Sequence, residues 1–310
     1  MFILKYFLVF SSSSVKNDCF AIAKHNRMEL SVDASKPVVL IDGGYFVFHR
    51  FFATLKWYKF RNKDVDESTC MDIEEFRAAL EKHVLADIDK VRKRCCALAT
   101  GKPRLSKKEW QEIPVWVAAD CSRVCIWRSA LTEGYKGTRD GSRLAFDPSC
   151  FEAIYAVLRE RLPVLKTDAL EADDLIALTH RRLRDIGYVG LIMCITNDND
   201  YLQLIDHNTK IINLEEKDLS TRSCGRPDRD LLHKVLLGDK SDNIPSVRGK
   251  LTEKALREKG HFSEEELIAS LCLSQQEMER LELNRTLIDF SRIPNQLTEK
   301  YYSSYNIEIS

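Results

Sequence analysis

Short apolar runs alternate along the chain with longer stretches in which apolar residues recur every three or four positions. The runs PVVLIDG (37–43), IPVWVAA (113–119) and GLIMCIT (190–196) are typical of buried strands. Residues 71–97 carry a helical stripe: Ile73, Phe76, Leu80, Val84, Ile88, Val91 and Cys95. A second helix, with Leu175, Leu178 and Leu183 on one face, precedes the third run. Strands alternating with helices predict an α/β fold with a parallel sheet flanked by helices.

The two ends of the chain differ from this pattern. The opening MFILKYFLVFSSSS is a short apolar stretch containing Lys5, followed by serines. It is compatible with a signal peptide, an organellar presequence or a disordered extension before Met28. Because the run is short and no small-residue cleavage pattern follows it, we expect residues 1–35 to be a disordered extension. We then expect an α/β domain over 36–227 and a helical region over 228–310.

Composition narrows the class of protein. No apolar run reaches the roughly 18 residues that a membrane span requires, so we expect no membrane contact. Ten cysteines are scattered without a C-x-x-C pair, which disfavours a zinc site or a disulfide framework. Reduced thiols of this kind are typical of an intracellular protein.

Acidic residues follow the predicted strands. Asp42 ends the first strand, Asp120 follows the second, and Asp198 and Asp200 follow the third. In open parallel sheets, ligands bind at the carboxyl ends of the strands. These carboxylates are therefore expected to meet at one edge of the sheet.

Two further acidic groups extend this set. Glu171, Asp173 and Asp174 open a predicted helix in EADDLIAL, where one acid could serve simply as a cap. Asp239 and Asp242, in GDKSDNIP, are spaced to share one face of a helical turn, although turn and cap roles explain them equally well.

Nine carboxylates at one site require cations to offset their repulsion. Oxygen-only ligands select Mg²⁺ or Mn²⁺, and a pair of such ions suits phosphodiester cleavage. The formal net charge of zero, from 47 basic and 47 acidic residues, is unusual for a nucleic-acid-binding protein. Setting the nine acids aside leaves 47 basic against 38 acidic residues, a surplus that would serve nucleic-acid binding.

A basic segment lies between Asp120 and EADD. Its cations and interleaved aromatic residues are Trp127, Arg128, Tyr135, Lys136, Arg139 and Arg143. A solvated surface would explain such a segment, but its position after a candidate ligand strand favours phosphate binding.

Four motifs, taken together, resemble those of the 5′–3′ exonuclease and flap-endonuclease family. They are DGGYFVF, EADDLIAL, TNDNDYLQL and GDKSDNIPSV, in the family's order, and the resemblance covers residues 37 to about 250. Within the family, the pattern of Asp120, Trp127-Arg128 and Tyr135-Lys136-x-x-Arg139 is most similar to T-even phage 5′ nucleases.

The resemblance implies a PIN-like nuclease domain over 36–227, with a helical arch at about 136–165, and a helix–two-turn–helix region over 228–310. It implies two Mg²⁺ ions, replaceable by Mn²⁺, held by the nine acids. Lys136 and Arg139 would contact the scissile phosphate. Phe48 matches a ring position near the first acid, which suits either base stacking or the core.

The chain departs from the family after SDNIP. A glycine-rich hairpin, which in the family binds duplex backbone, is replaced by SVRGKLTEKAL, with only Gly249 retained. This makes anchoring through a monovalent ion doubtful. Phosphate contacts from Lys240, Arg248, Lys250 and Lys254 remain expected.

The expected function is metal-dependent hydrolysis of phosphodiester bonds at 5′ ends, flaps or RNA–DNA primers during DNA replication or repair. The expected partners are DNA and RNA–DNA hybrid, with a single-strand-binding protein or sliding clamp as a further candidate. Two alternatives stand beside it: a PIN-type ribonuclease acting on RNA, and a catalytically inactive DNA-binding relative. An inactive relative should have lost acids, yet all nine are present.

Overall fold

A five-stranded parallel sheet forms the centre of the molecule, with strand order β4-β3-β2-β5-β6. The strands in chain order are β1 Met28–Val32, β2 Val38–Asp42, β3 Val115–Ala118, β4 Val164–Leu165, β5 Ile192–Ile195, β6 Thr209–Ile212 and β7 Tyr305–Ile309. The three predicted runs are β2, β3 and β5, which lie side by side in the sheet. This computed structural model describes residues 27–137 and 149–310, so Arg139 and Arg143 lie outside the described residues.

Helices cover both faces of the sheet and continue into the carboxyl-terminal third. They are α1 Gly43–Arg61, α2 Glu74–Thr100, α3 Lys107–Gln111, α4 Ser149–Arg161, α5 Ala172–Asp185, α6 Pro227–Leu237, α7 Glu253–Glu258, α8 Glu264–Leu271, α9 Gln275–Ile288 and α10 Asn295–Ser304. The predicted parallel sheet flanked by helices is confirmed. Among the described residues, no helix is both long and apolar enough to cross a membrane.

Alternate residues of each strand enter different cores, because successive strand side chains point to opposite faces. Val39 and Ile41 of β2 pack in the core that also contains buried residues of α1, α2 and α4. Val38 and Leu40 pack on the other face, in the core formed with α5, α10, β1 and β7. A third core joins α6, α7, α8 and α9 to the segment after β3, through Cys121, Ile126 and Tyr135. The carboxyl-terminal helices are thereby held against the segment that follows Asp120.

Residues 28–32 correct the expected disordered extension to residue 35. They form β1, which pairs in parallel with β7 at the other end of the chain. Leu30 and Val32 are buried against the α5 face of the sheet. The MELSV pattern alternates apolar and polar residues, and burial of its two apolar side chains stabilises the pairing.

The expected arch at 136–165 is also corrected for its second half. Residues 149–161 form α4, whose Cys150, Phe151, Ile154 and Leu158 are buried in the core with α1 and α2. Residues 164–165 form the edge strand β4. A helix that buries this much apolar surface belongs to the packed domain and not to an arch. Residues 138–148 of the expected arch lie outside the described residues.

Candidate metal centre

Three strand ends bring acids to one edge of the sheet. Asp42 ends β2, and its Oδ2 accepts hydrogen bonds from the hydroxyls of Thr196 (3.1 Å) and Tyr201 (3.2 Å), beyond β5. Asp120 follows β3, and its Oδ1 accepts from the backbone N–H of Ala172 at 2.9 Å, in the first turn of α5. These bonds tie β2, β3, β5 and the start of α5 together around the acids.

The carboxylates are crowded enough to perturb one another. Burial, then repulsion from Asp120 and Asp198, raises the pKa of Asp42 to about 6. Burial and the neighbouring charge of Asp174 raise the pKa of Asp173 well above its ordinary value. Burial and repulsion between neighbouring carboxylates both raise pKa values in this way.

Glu171 and Asp174 differ, because Arg128 offsets their charge. The Arg128 guanidinium donates to Asp174 Oδ1 (2.7 Å), Asp174 Oδ2 (2.8 Å) and Glu171 Oε2 (3.0 Å). Its Nε donates to the carbonyl of Leu287 in α9 at 2.7 Å, and Trp127 Nε1 donates to Asp174 Oδ2 at 3.0 Å. The Arg128 side chain is 1% exposed, so the prediction that it contacts nucleic acid is wrong. Asp174 uses both oxygens on Arg128, yet one of them also lies within 4.8 Å of carboxylate oxygens of Glu171 and Asp173, so its role as a metal ligand stays a prediction.

Tyr135 and Lys136 also face the acids. The Tyr135 hydroxyl donates to Glu171 at 2.9 Å and lies 3.3 Å from Asp242, and the ring is buried. It therefore supports the site, which corrects its expected role in nucleic-acid contact. The Lys136 ammonium pairs with Glu171 and lies 3.6 Å from Asp242. Burial alone would raise the pKa of Glu171, but Lys136 and Arg128 outweigh it and hold that pKa at about 2.

A lysine that sequence reasoning missed joins two other acids. The Lys234 ammonium of α6 lies 2.6 Å from both Asp200 and Asp239. Nothing in the local sequence pattern of α6 marks it, because its two partners lie in other segments. Burial and the charge of Asp198 nevertheless raise the pKa of Asp200 to about 7.

Asp239 and Asp242 lie in a tight turn rather than on a helical turn. The backbone N–H and C=O of Asp239 both pair with Ile244, at 2.8 and 2.7 Å. A β-carbon on Gly238 would lie 2.4 Å from the Ile244 carbonyl oxygen, so this return requires glycine. The turn sends Asp239 towards Lys234 and Asp242 towards Lys136.

The remaining residues that were predicted to contact nucleic acid differ in the solvent exposure of their side chains. Phe48 is 8% exposed and packs against Phe52 and Phe151, so the core alternative holds for it and base stacking does not. Arg248 is also engaged within the protein, through Glu277 and the carbonyls of Leu271 and Cys272. The side chains that face solvent, as phosphate contacts require, are Lys240, Lys250 and Lys254.

The donor set fits a hard divalent cation. Asp42, Asp120, Asp173 and Asp198 supply carboxylate oxygens alone, which favours Mg²⁺ or Mn²⁺ over softer metals. One oxygen from each of Glu171, Asp173 and Asp174 lies within 4.8 Å of the others. Arg128 compensates the charges of Glu171 and Asp174. Within this group of three, Asp173 is therefore the carboxylate that a bound cation would stabilise most.

Comparisons with known proteins agree with this geometry. A family model described as the 5′–3′ exonuclease, N-terminal resolvase-like domain matches residues 37–226. Ribonuclease H of Enterobacteria phage T4 is 28% identical over 212 residues, covering 61% of this chain and 69% of the relative. The 5′–3′ exonuclease of Aquifex aeolicus is 25% identical over 156 residues, or 48% of this chain and 51% of the relative.

Solved structures show the same fold. The 5′-exonuclease of T5 with bound zinc has a TM-score of 0.56 and 15% identity, covering 86% of this chain and 97% of that one. A complex of the T5 D15 flap endonuclease with DNA and metal ions has a TM-score of 0.56, at 14% identity and 86% and 96% coverage.

The family match spans well over half of the 310 residues. It includes seven of the nine acids, and the two acids of the turn, Asp239 and Asp242, lie beyond its end: Asp42, Asp120, Glu171, Asp173, Asp174, Asp198 and Asp200 are within it. The chain therefore belongs to the 5′–3′ exonuclease family with a resolvase-like amino-terminal domain, whose named relatives are 5′ nucleases.

Proposed function

We propose that this protein is a divalent-metal-dependent 5′ nuclease that hydrolyses phosphodiester bonds at 5′ ends, flaps or RNA–DNA junctions. The observation that carries the proposal is the convergence of Asp42, Asp120, Asp173 and Asp198 at one sheet edge, where burial and neighbouring acids raise the pKa values of Asp42 and Asp173. A site of this kind is stabilised by bound divalent cations.

The side chains at the site divide into two roles. Asp42, Asp120, Asp173 and Asp198 would hold the ions, with Asp200 and Asp239 beside them. Bound divalent ions would stabilise the charge on the attacking and leaving oxygens of a phosphodiester. Arg128, Tyr135 and Lys234 instead hold the acids in place from within the protein.

Lys136 is the described cation that we assign to the substrate phosphate. Its side chain is 14% exposed, against 1% for Arg128, and it borders the acids. A phosphate at the site would take over part of its interaction with Glu171 and Asp242. The ammonium would then stabilise charge that develops on the phosphate during cleavage. Arg139, three residues further along, remains proposed for the same role.

The names of the relatives support a proposal for the substrate class. The T5 flap endonuclease is solved with DNA, and the T4 relative is named a ribonuclease H. We therefore propose DNA and RNA–DNA hybrids with a 5′ single-stranded end as substrates, in DNA replication or repair within the cell. A single-strand-binding protein or sliding clamp is a proposed partner.

The test is cleavage of four labelled substrates, a 5′ flap, a nicked duplex, an RNA–DNA hybrid and single-stranded RNA, with Mg²⁺, Mn²⁺, Ca²⁺ or EDTA. We expect cleavage near the 5′ end or branch point with Mg²⁺ or Mn²⁺ and none with Ca²⁺ or EDTA. Cleavage of single-stranded RNA alone would support the ribonuclease alternative. Binding without cleavage of any substrate would identify an inactive relative.

A further inference from the structure

Tyr155 lies beside the acids although no sequence motif marks it. It belongs to α4, next to Ile154, which is buried in the core with α1 and α2. The packing of Ile154 and Leu158 fixes the helix, and with it the direction of the partly buried Tyr155 side chain. A phenol held in this way has little freedom to move.

The neighbouring Gly43 shows where the Tyr155 hydroxyl lies. A β-carbon on Gly43 would be 2.7 Å from the phenol oxygen, 3.1 Å from Cε1 of the ring and 2.4 Å from the carbonyl oxygen of Ala118. Gly43 directly follows Asp42, and Ala118 ends β3 two residues before Asp120. The phenol oxygen therefore lies beside the backbone that carries the first two acids of the site.

Gly43 has no conformational reason to be glycine. It lies in the first turn of α1, and its φ is not in the left-handed region. Glycine is less favourable than alanine within a helix. The close approach of the phenol and the Ala118 carbonyl supplies the reason instead, because a side chain at 43 would displace them.

The two acids are near enough to affect the phenol. Burial first, and then the charges of Asp120 and Asp42, raise the pKa of Tyr155 well above its ordinary value. On the outer side, the Arg159 guanidinium lies 5.7 Å from the centre of the ring. The phenol is thus an O–H donor close to carboxylate acceptors.

We propose that Tyr155 is a positioning residue of the metal centre, whose phenol donates a hydrogen bond on the Asp42–Asp120 side and orients those carboxylates for a divalent ion. The inference rests on the proposed function, because it assigns a residue to the same site. Partners of metal ligands typically contribute 10-fold to 100-fold in metal affinity or activity. The alternative is that Tyr155 only fills space between α4 and α1.

The experiment compares Tyr155→Phe with wild type and with Tyr302→Phe, a control whose hydroxyl bonds the Leu178 carbonyl in α5. Mn²⁺ affinity of the metal-free protein is measured by isothermal titration calorimetry, without substrate. Single-turnover flap cleavage is then measured across Mg²⁺ concentrations. Melting temperature in EDTA serves as the measure of folding.

For Tyr155→Phe, we expect Mn²⁺ affinity about 10-fold weaker, a matching rise in the Mg²⁺ concentration for half-maximal cleavage, and a nearly unchanged melting temperature. Tyr302→Phe should match wild type in metal affinity. If Tyr155→Phe fails to fold, Gly43→Ala, which displaces both the phenol and the Ala118 carbonyl, should weaken Mn²⁺ binding in its place.

Equal Mn²⁺ affinity in wild type and Tyr155→Phe, with wild type cleaving flaps, would overturn the positioning role and leave the proposed function intact. A wild-type protein that neither binds Mn²⁺ nor cleaves would overturn both. In a third outcome, wild type binds Mn²⁺ but cleaves none of the substrates, and Tyr155→Phe binds Mn²⁺ more weakly than wild type. This outcome would support the positioning role and reject the nuclease function.

Discussion

Replacing Arg128 by methionine removes the buried cation that compensates Glu171 and Asp174. The Arg128, Glu171 and Asp174 side chains are 1%, 3% and 0% exposed, so water cannot take over. Breaking a buried ion pair by removing one partner typically costs about 3–5 kcal/mol. The Leu287 carbonyl also loses its donor. We therefore expect Arg128→Met to lower the free energy of unfolding by about 3–5 kcal/mol, mainly through Asp174, because Glu171 keeps its ion pair with Lys136.

Urea denaturation in EDTA, followed by circular dichroism, measures this loss without interference from bound metal. Arg226→Met is the matched control, since Arg226 pairs with Asp228 on the surface with 53% and 63% of the side chains exposed. We expect no measurable change in that control. Adding Asp174→Leu to Arg128→Met should recover part of the loss, because one uncompensated charge is removed with its partner.

A decrease of less than about 1 kcal/mol in the free energy of unfolding of Arg128→Met would contradict a stabilising buried ion pair, because an exposed ion pair contributes that little. The same conclusion would follow if Asp174→Leu lowered the free energy of unfolding of Arg128→Met further, as a core substitution independent of Arg128 would. In either case Arg128 would not be the group that compensates the two acids.

Three other predictions follow from the charges at the site. Asp173→Asn should nearly abolish cleavage while the urea midpoint in EDTA stays level or rises, because one repelling charge is lost; near-normal turnover at saturating metal would contradict this. Lys136→Ala and Arg139→Ala should slow single-turnover cleavage more than they weaken substrate binding, and unchanged single-turnover rates would remove both from the catalytic group. Burial with neighbouring acids raises the pKa of Asp42 to about 6 and that of Asp200 to about 7. Such groups stabilise the fold fully below their unfolded pKa, near 3.8, and less as pH rises through 6 and 7. The urea midpoint in EDTA should therefore fall between about pH 5 and about pH 8, and a rise over that range would count against the crowding of the acids.

The sequence predicts the sheet and its acids well because both are local signals. The runs that form β2, β3 and β5 are short, apolar and followed by an acid, and parallel strands bring their ends to one edge. Membership of the family adds the acids beyond the strands. The pairing of β1 with β7 has no local signal, because its two strands come from opposite ends of the chain.

The direction of a side chain is harder to predict than its position along the chain. Arg128 and Tyr135 lie in a basic, aromatic segment of the kind that contacts phosphates, yet both are buried against acids. Lys234 of α6 pairs with Asp200, which follows β5, so only the folded chain shows the ion pair. The apolar spacing of Cys150, Phe151, Ile154 and Leu158 was a signal for a core helix, and the expected arch overlooked it.

Acids from separate strand ends are proposed to form one site for divalent ions. Anomalous scattering from crystals soaked in Mn²⁺ tests this site directly. We expect two anomalous peaks at the carboxyl edge of β2, β3 and β5, within ligand distance of Asp42, Asp120, Asp173 and Asp198. Peaks only elsewhere on the protein, or an empty edge at saturating Mn²⁺, would contradict the proposal.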